Sequence, residues 1–446
     1  MIRLVFSDLR DHAATWIGAF AIAVVCGYIG GWVVSLQATA GFQTDALQKF
    51  LQNAASSVLM FSLIAAVAVL VSAANLTVSA QRRSYALWQL ANVEPRLVSA
   101  VVLAQLAVVA VLGAMGGTLL AAVTFEPLFP LVLGSREALA QVAPVVDATR
   151  LPAVWAVAAA VFLLGGMKGA RSAGRTPPLI VLREPEPRRA RVTWLRTLLF
   201  AGMLACTCWA SLTLTESPDV AMSWSVFVPI LVVATLVPLA PLIFSALLDA
   251  WTPLVPQSRW NAWYLARRIA RHGLSSSTSI ETPIMVGFGL VAGLFSAMAC
   301  SVDYLERQGV ADISTLGLAE SFVMLAGPVL LCVFGAAVSV AMSSRSRTRD
   351  VALLVAGGAK PATLMAAAGC EALIHAVTAT MVGAAAVVAS NAVVANAFGV
   401  PLFANLAFGE GLVVSLAGFA LVLAATLAPT WAALNREAAA VLSAGE

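Results

Sequence analysis

Ten apolar runs constrain this chain more than any other feature. They lie at residues 14–36, 55–79, 98–123, 152–168, 197–214, 223–248, 281–301, 321–343, 365–390 and 409–433. A helix rises 1.5 Å per residue, so about 20 apolar residues cross a hydrocarbon layer of about 30 Å. Lipid offers the backbone no hydrogen-bond partner, so runs of this length read as helices. The alternation that marks a membrane β-barrel is missing. Composition points the same way: 61% of residues are hydrophobic, 11% are charged and the mean hydropathy is +0.92. A water-facing surface needs about 25% charged residues. The expected class is therefore an all-α integral membrane protein with ten transmembrane helices. That class excludes a soluble enzyme and a disordered chain. The 26 basic and 22 acidic residues are too balanced for nucleic-acid binding. Six cysteines, Cys26, Cys206, Cys208, Cys300, Cys332 and Cys370, fall in or near apolar runs and read as small buried hydrophobes. The first run is too long for a signal-peptide core and is expected to remain as a span.

Orientation follows from Lys and Arg. With the N-terminus inside, the outer segments carry only Lys49, Arg136, Arg150 and Arg307, and all other basic residues fall on the inner side. The expectation is a multi-pass protein of the cell membrane with both termini cytoplasmic. The basic, proline-containing stretch from Lys168 to Arg196 reads as a cytoplasmic linker touching anionic lipid.

The sequence also repeats itself. At a constant offset of 266, Arg83 meets Arg349, Ala86 meets Ala352, Leu87 meets Leu353, Pro95 meets Pro361 and Gly117 meets Gly383. Each copy sits between the second and third spans of a four-span set. Each set is preceded by a short basic stretch ending in His (Arg3 to His12, Arg267 to His272) and followed by a similar tail (Pro178 to Arg183, Ala438 to Ser443). The expected organisation is a four-span module at 1–185, a basic linker and two-span bridge at 186–256, and a second four-span module at 257–446. Both modules enter the membrane from the same side, so the repeat is parallel, unlike the inverted repeats of many secondary transporters.

The repeated inner segment opens with arginines (Arg82, Arg83; Arg345, Arg347, Arg349) and continues as helix-compatible sequence. It then reaches Asn92 or Gly357-Gly358, and a proline starts the next span. Asn or Gly permits a left-handed helix stop, and proline suits the first turn of the next helix. The pattern predicts a short surface helix under the bilayer, tied to the spans on both sides, that can pass a push from a cytoplasmic partner into the membrane.

These residues resemble the FtsX-like (MacB-type) permease family of ABC transporters. Its hallmark is a basic pair, an acid, an Ala-Leu pair and a small-residue turn before the third span. The second copy keeps the acid as Asp350 and the turn as Gly357-Gly358-Ala359, whereas the first has Ser84 and Ala91-Asn92-Val93. The ten-span duplicated layout is similar to bacitracin-export-type permeases. Those proteins carry a large outer domain between spans seven and eight, where this chain has only Ser301 to Glu320. The resemblance implies a fold of two parallel four-helix FtsX-like modules joined by a two-helix bridge. It implies that Arg82, Arg83, Leu87, Glu94, Pro95, Arg347, Arg349, Asp350, Leu353, Gly357, Gly358 and Pro361 couple the chain to a cytoplasmic ABC ATPase, two copies per chain. The sequence has no G-x-x-x-x-G-K-[ST] loop, so ATP and Mg belong on that partner, and no catalytic residue or cofactor is expected here.

Ionisable residues inside a span are functional-site hypotheses. Glu371 lies ten residues past Pro361 with His375 one turn on, and Gln105 holds the equivalent place in the first module. These three are candidates for substrate contact or conformational switching, against a purely structural pairing. Gly113 and Gly117 suggest close helix packing within the chain. Three functions remain open. The first is export or extraction of an amphipathic, lipid-like or peptide compound driven by the ATPase. The second is mechanotransmission to an extracytoplasmic partner without transport. The third is an ion-coupled carrier using Glu371 and His375.

Overall fold

The computed structural model describes residues 7–10, 13–133, 139, 142–175, 194–256, 260–272, 274–309 and 318–435. The expected motif at residues 1–6 and 11–12 and both expected tails lie outside the described residues. No strand occurs among the described residues. In chain order the helices are α1 (Ala13–Ala40), α2 (Asp45–Ala80), α3 (Arg82–Leu90), α4 (Pro95–Leu133), α5 (Leu151–Arg175), α6 (Trp194–Leu214) and α7 (Pro218–Trp224). There follow α8 (Val228–Leu236), α9 (Ala240–Trp251), α10 (Asn261–His272), α11 (Leu274–Arg307), α12 (Leu318–Ala356), α13 (Pro361–Phe398) and α14 (Phe408–Leu434). Nine stretches among the described residues are long and apolar enough to cross a membrane. The remaining expected span, 321–343, falls within α12, whose described apolar part is Leu325–Ser339.

Two compact units result, and they cut across the sequence modules. The first holds residues 1–186 and 316–338, and the second holds 187–315 and 339–446. The bridge helices thus group with the second module, and α12 is divided between the units at Val338.

In the first unit α1 packs along α4, with α2 and α5 alongside. The α1–α4 seam is made by glycines. A Cβ on Gly113 would strike Ala23, and one on Gly117 would strike the carbonyl oxygen of Val24 and the nitrogen of Tyr28, 2.6 Å away. Gly27 faces the Ala114 backbone in return. Backbones this close admit no side chain, which is how helices gain dispersion contact where lipid removes the hydrophobic drive. Gly117→Val is therefore expected to destabilise this unit by about 1–3 kcal/mol. Thermal unfolding in detergent would show it as a lowered midpoint. The N-terminal part of α12 joins this unit through Gly327, whose Cβ would meet Ser62, and Gly335, whose Cβ would meet Val69.

In the second unit α11 packs along α13, with α14 beside both and α8 against α11. Gly289 and Gly293 on α11 admit Val233 and Pro229 of the bridge, each 2.7 Å from an ideal Cβ. The apolar run 223–248 is not one straight helix. Pro229, Pro238 and Pro241 lack the N–H that a helix interior needs. Accordingly the run is broken by 3-10 turns at Ser225–Phe227 and Val237–Leu239. Helix α6 lies almost bare, with Leu198, Trp209 and Leu212 exposed. Cys206 and Cys208 on it are exposed as well, unlike the buried Cys300, Cys332 and Cys370. An apolar surface of this kind is at home only against lipid or another protein.

The amphipathic helix α10 buries Trp263, Ala266 and Ala270 and turns Arg268 and Arg271 outward. Arg271 pairs with Asp249 at 3.2 Å, and the Trp263 indole N–H donates to the Thr252 carbonyl at 3.2 Å. Trp251 donates to the Thr378 hydroxyl at 3.0 Å, which fixes α9 to α13. An apolar face on the bundle with arginines opposite suits a helix lying at a membrane surface.

Candidate functional site: two helix stops and two buried polar clusters

The segments at the offset of 266 share one backbone geometry. In the first, Asn92 takes the left-handed conformation at φ 66°, and in the second Gly358 takes it at φ 86°. The N–H of Val93 donates to the Trp88 carbonyl at 3.0 Å, and that of Ala359 to the Leu354 carbonyl at 3.0 Å. The N–H of Asn92 donates to Gln89 at 3.0 Å, and that of Gly358 to Val355 at 2.9 Å. This is the Schellman stop, which satisfies carbonyls left over at a helix C-terminus. The following helix then starts on proline in both, with Leu97 bonded to Glu94 and Thr363 to Lys360, each at 2.9 Å.

What each turn presents is also matched. Leu87 and Leu353 are each 52% exposed, one turn before the stop. Glu94 and Pro95 are exposed in the first turn, and Gly357, Gly358, Lys360 and Pro361 in the second. Behind them the residues are buried: Tyr85 and Ala86, Val351 and Ala352. Arg82, Arg83, Arg347, Arg349 and Asp350 lie within α3 and α12, but their side chains are outside the described residues.

The supports differ. In the first unit the Gln89 side chain donates to the Gly174 carbonyl at 3.2 Å, and Ser99 donates to the Ala170 carbonyl at 2.9 Å. Both tie the turn to the C-terminal end of α5. In the second unit Val351 clusters with Leu364 and Ala433, and Leu265, Leu354 and Ala359 pack against them. The first turn has a separate short helix, α3, whose Tyr85 hydroxyl donates to the Gln81 side chain at the break from α2. Val351 and Arg347 hold those places in the second copy and cannot make that bond. There the segment runs on from α12 as one helix to Ala356, so the expected separate surface helix forms only in the first copy.

The two left-handed positions make different demands. A Cβ on Gly358 would meet nothing within 4 Å, so its only penalty is the backbone conformation. Gly358→Ala is expected to cost about 1–2 kcal/mol, and Asn92→Gly to stay within about 0.5 kcal/mol of the parent. Denaturant unfolding of the two variants would measure the difference.

Ten residues beyond each starting proline lies a buried polar cluster. In the first unit the Gln105 amide donates to Asp8 at 2.8 Å, with both residues buried. Burial, and then the Asp8 charge, hold the Tyr85 phenol well above its usual range, so it stays neutral. Asp8 thus bears on both the α3 segment and α4. In the second unit His375 stands between two carboxylates. Its Nδ1 lies 2.9 Å from Glu281 Oε1, and its Nε2 lies 3.7 Å from Glu371 Oε1. The Glu281 and His375 side chains are each 1% exposed and that of Glu371 4%. A neutral imidazole has one N–H, whereas the imidazolium offers one to each carboxylate. Gln105, Glu371 and His375 were legible from sequence. Asp8 and Glu281 were not, since they lie 97 and 94 residues from their partners. The one signal for Glu281 is an acid at the lip of an apolar run.

Comparison with known proteins bears on the second of these sites. Residues 322–438 match the family model of the FtsX-like permease C-terminal domain. The matched stretch holds Leu353, Gly357, Gly358 and Pro361 as well as Glu371 and His375; the turn at Asn92 lies outside it. No curated protein and no solved structure gives a match. The chain is thus an all-α, multi-pass membrane protein whose residues 322–438 match the C-terminal domain of FtsX-like permeases, a match that supports a membrane permease component of an ABC transporter.

Proposed function

We propose that this chain is the permease subunit that couples ATP hydrolysis by a separate cytoplasmic ATPase to export or extraction of an amphipathic, lipid-like or peptide compound. One observation carries the reading: two helix stops with the same bonds, each presenting a half-exposed leucine at the same place. A leucine left half bare beside polar, exposed turn residues is an anchor for a protein partner. Two such anchors suit two ATPase copies, with ATP and Mg bound by them. Both turns run directly into spans, α4 and α13, so a displacement of the turn is delivered to the membrane core. The topology in this reading keeps both termini and both turns cytoplasmic, in line with the distribution of Lys and Arg.

The buried Glu281–His375–Glu371 cluster favours a second reading, in which an ion gradient drives transport through this chain alone. The two part in sealed vesicles: the first needs the ATPase and ATP, and the second proceeds without them and stops when the gradient is collapsed. The experiment for the first reading is copurification of the ATPase with the parent chain and with a chain carrying Leu87→Asp and Leu353→Asp.

A further inference from the structure

Helix α10 leaves one face uncovered, and that face combines charge of a single sign with aromatic rings. Trp260, Tyr264, Arg268 and Arg271 recur every three or four residues. At about 100° per residue they fall within about 80° of arc. All four are exposed, Trp260 at 51% and Tyr264 at 43%. The Tyr264 N–H donates to the Trp260 carbonyl at 3.2 Å, so Trp260 belongs to the first turn of the same face. The opposite face is spent on the fold: Trp263, Ala266 and Ala270 pack with Leu248, Cys370 and Ile374. Leu265 joins the cluster of Val351, Leu364 and Ala433 behind the second helix stop. The uncovered residues therefore stand on a fixed support.

The chemistry of the face calls for an anion. The Arg268 guanidinium lies 5.4 Å from the centre of the Tyr264 ring. Stacking engages its flat side and leaves the in-plane N–H donors free to point away. No carboxylate among the described residues pairs with Arg268. Arg271 meets Asp249 at 3.2 Å through one terminal nitrogen, and both are exposed. Exposed ion pairs of this kind hold weakly, so a phosphate can share that guanidinium. Position decides which anion. Helix α10 ends at His272, α11 starts at Leu274, and the spanning stretch of α11 starts at Ile280. The intervening helix rises about 9 Å, and the headgroup layer is about 5–8 Å deep on each side of the hydrocarbon. Tryptophan and tyrosine settle at that depth, where arginine meets lipid phosphate.

We propose that the α10 face binds the headgroup of an anionic phospholipid, with Arg268 and Arg271 on its phosphate and Trp260 and Tyr264 beside it in the headgroup layer. The site stands on α10 and not on ATPase coupling. It is tested on the full chain by native mass spectrometry. Phosphatidylglycerol and phosphatidylcholine of the same acyl chains are titrated into the detergent-solubilised protein. The parent is expected to take up phosphatidylglycerol about tenfold more tightly. A chain carrying Arg268→Gln and Arg271→Gln should lose about fivefold or more of that preference, the attraction of an arginine to an anionic surface being worth about fivefold each. Arg307→Gln removes a comparably exposed charge at the far end of α11 and should leave the preference within about twofold. Arg268→Lys keeps the charge and should do the same. Thermal unfolding without added lipid checks the fold of each variant. Should the double variant unfold, Arg268→Gln spares the Arg271–Asp249 pair and carries the test, with an expected loss of about threefold. An unchanged preference in these variants, or an equal loss in Arg307→Gln, would overturn the site. An unchanged preference joined to loss of the copurifying ATPase would give the face to a protein instead. Displacement of phosphatidylglycerol by inorganic phosphate would assign the arginines to a soluble anion and overturn the lipid.

Discussion

A chain carrying both Leu87→Asp and Leu353→Asp is expected to lose its ATPase on copurification, while each single change removes about half of it. Each leucine is half exposed at the end of a helix whose inner face is already packed, so neither supports the fold. Surface changes of that kind shift stability by about 0.5 kcal/mol or less. In an interface the same change is large. An anchor residue truncated at the centre of a contact costs about 2 kcal/mol or more, and a buried unpaired carboxylate adds to that. At 1.4 kcal/mol per tenfold, a loss of about 2–4 kcal/mol lowers affinity by about 30-fold to 1,000-fold. The readout is the ratio of ATPase to permease after affinity purification, with thermal unfolding of the permease alone as the control for its fold. Full retention of the ATPase by the double variant, with the fold intact, would remove these two turns as its docking sites. Loss of all ATPase from either single variant would leave docking at the turns but exclude two independent sites per chain.

His375→Leu should be the most destabilising change in the second unit. Glu281 and His375 are buried at 2.9 Å, with Glu371 on the other ring nitrogen at 3.7 Å. Whatever the net worth of an ion pair built into a protein interior, removing one partner leaves the other desolvated without its counter-charge. That typically costs about 3–5 kcal/mol. Here one substitution strips the imidazole from two carboxylates at once. Glu281→Gln is expected to cost less, since the amide keeps an oxygen to accept an N–H. Gln105→Leu in the first unit should fall between about 1 and 3 kcal/mol, because it removes the hydrogen bond that the Gln105 amide donates to Asp8 and no charge of its own. Denaturant titration in detergent would rank the three. A midpoint for His375→Leu equal to that of the parent would show that the cluster does not hold α11 to α13. Transport assays on Glu281→Gln, the mildest of these changes, would then separate a switching role from a structural one. A switch predicts loss of turnover in a chain that still folds and still binds its ATPase.

The features legible in the sequence are those encoded locally. A span is a matter of run length, and nine stretches among the described residues are long and apolar enough to cross a membrane; run 223–248 is helical but broken by 3-10 turns, and in α12 the described apolar part is Leu325–Ser339. The helix stops were legible for the same reason. Asn92 and Gly358 precede their prolines by three residues, and a left-handed residue followed by proline has few other conformations open to it. The likeness of the two turns could be read because the same local chemistry recurs at a fixed offset. Even there, the separate helix expected in both copies forms only in the first, where Tyr85 bonds to Gln81.

The amino-acid order alone thus determined the class of protein, its helices and the two turns that lead into α4 and α13. Each of these depends on neighbours within one or two helical turns. Tertiary structure alone decided that Asp8 meets Gln105, that Glu281 meets His375, that α12 is divided between two compact units, and that α1, α2 and α5 leave an apolar cavity. Such pairings join residues tens or hundreds of positions apart. They are selected by which glycine faces let backbones approach and by which buried polar groups must find one another where no water can stand in.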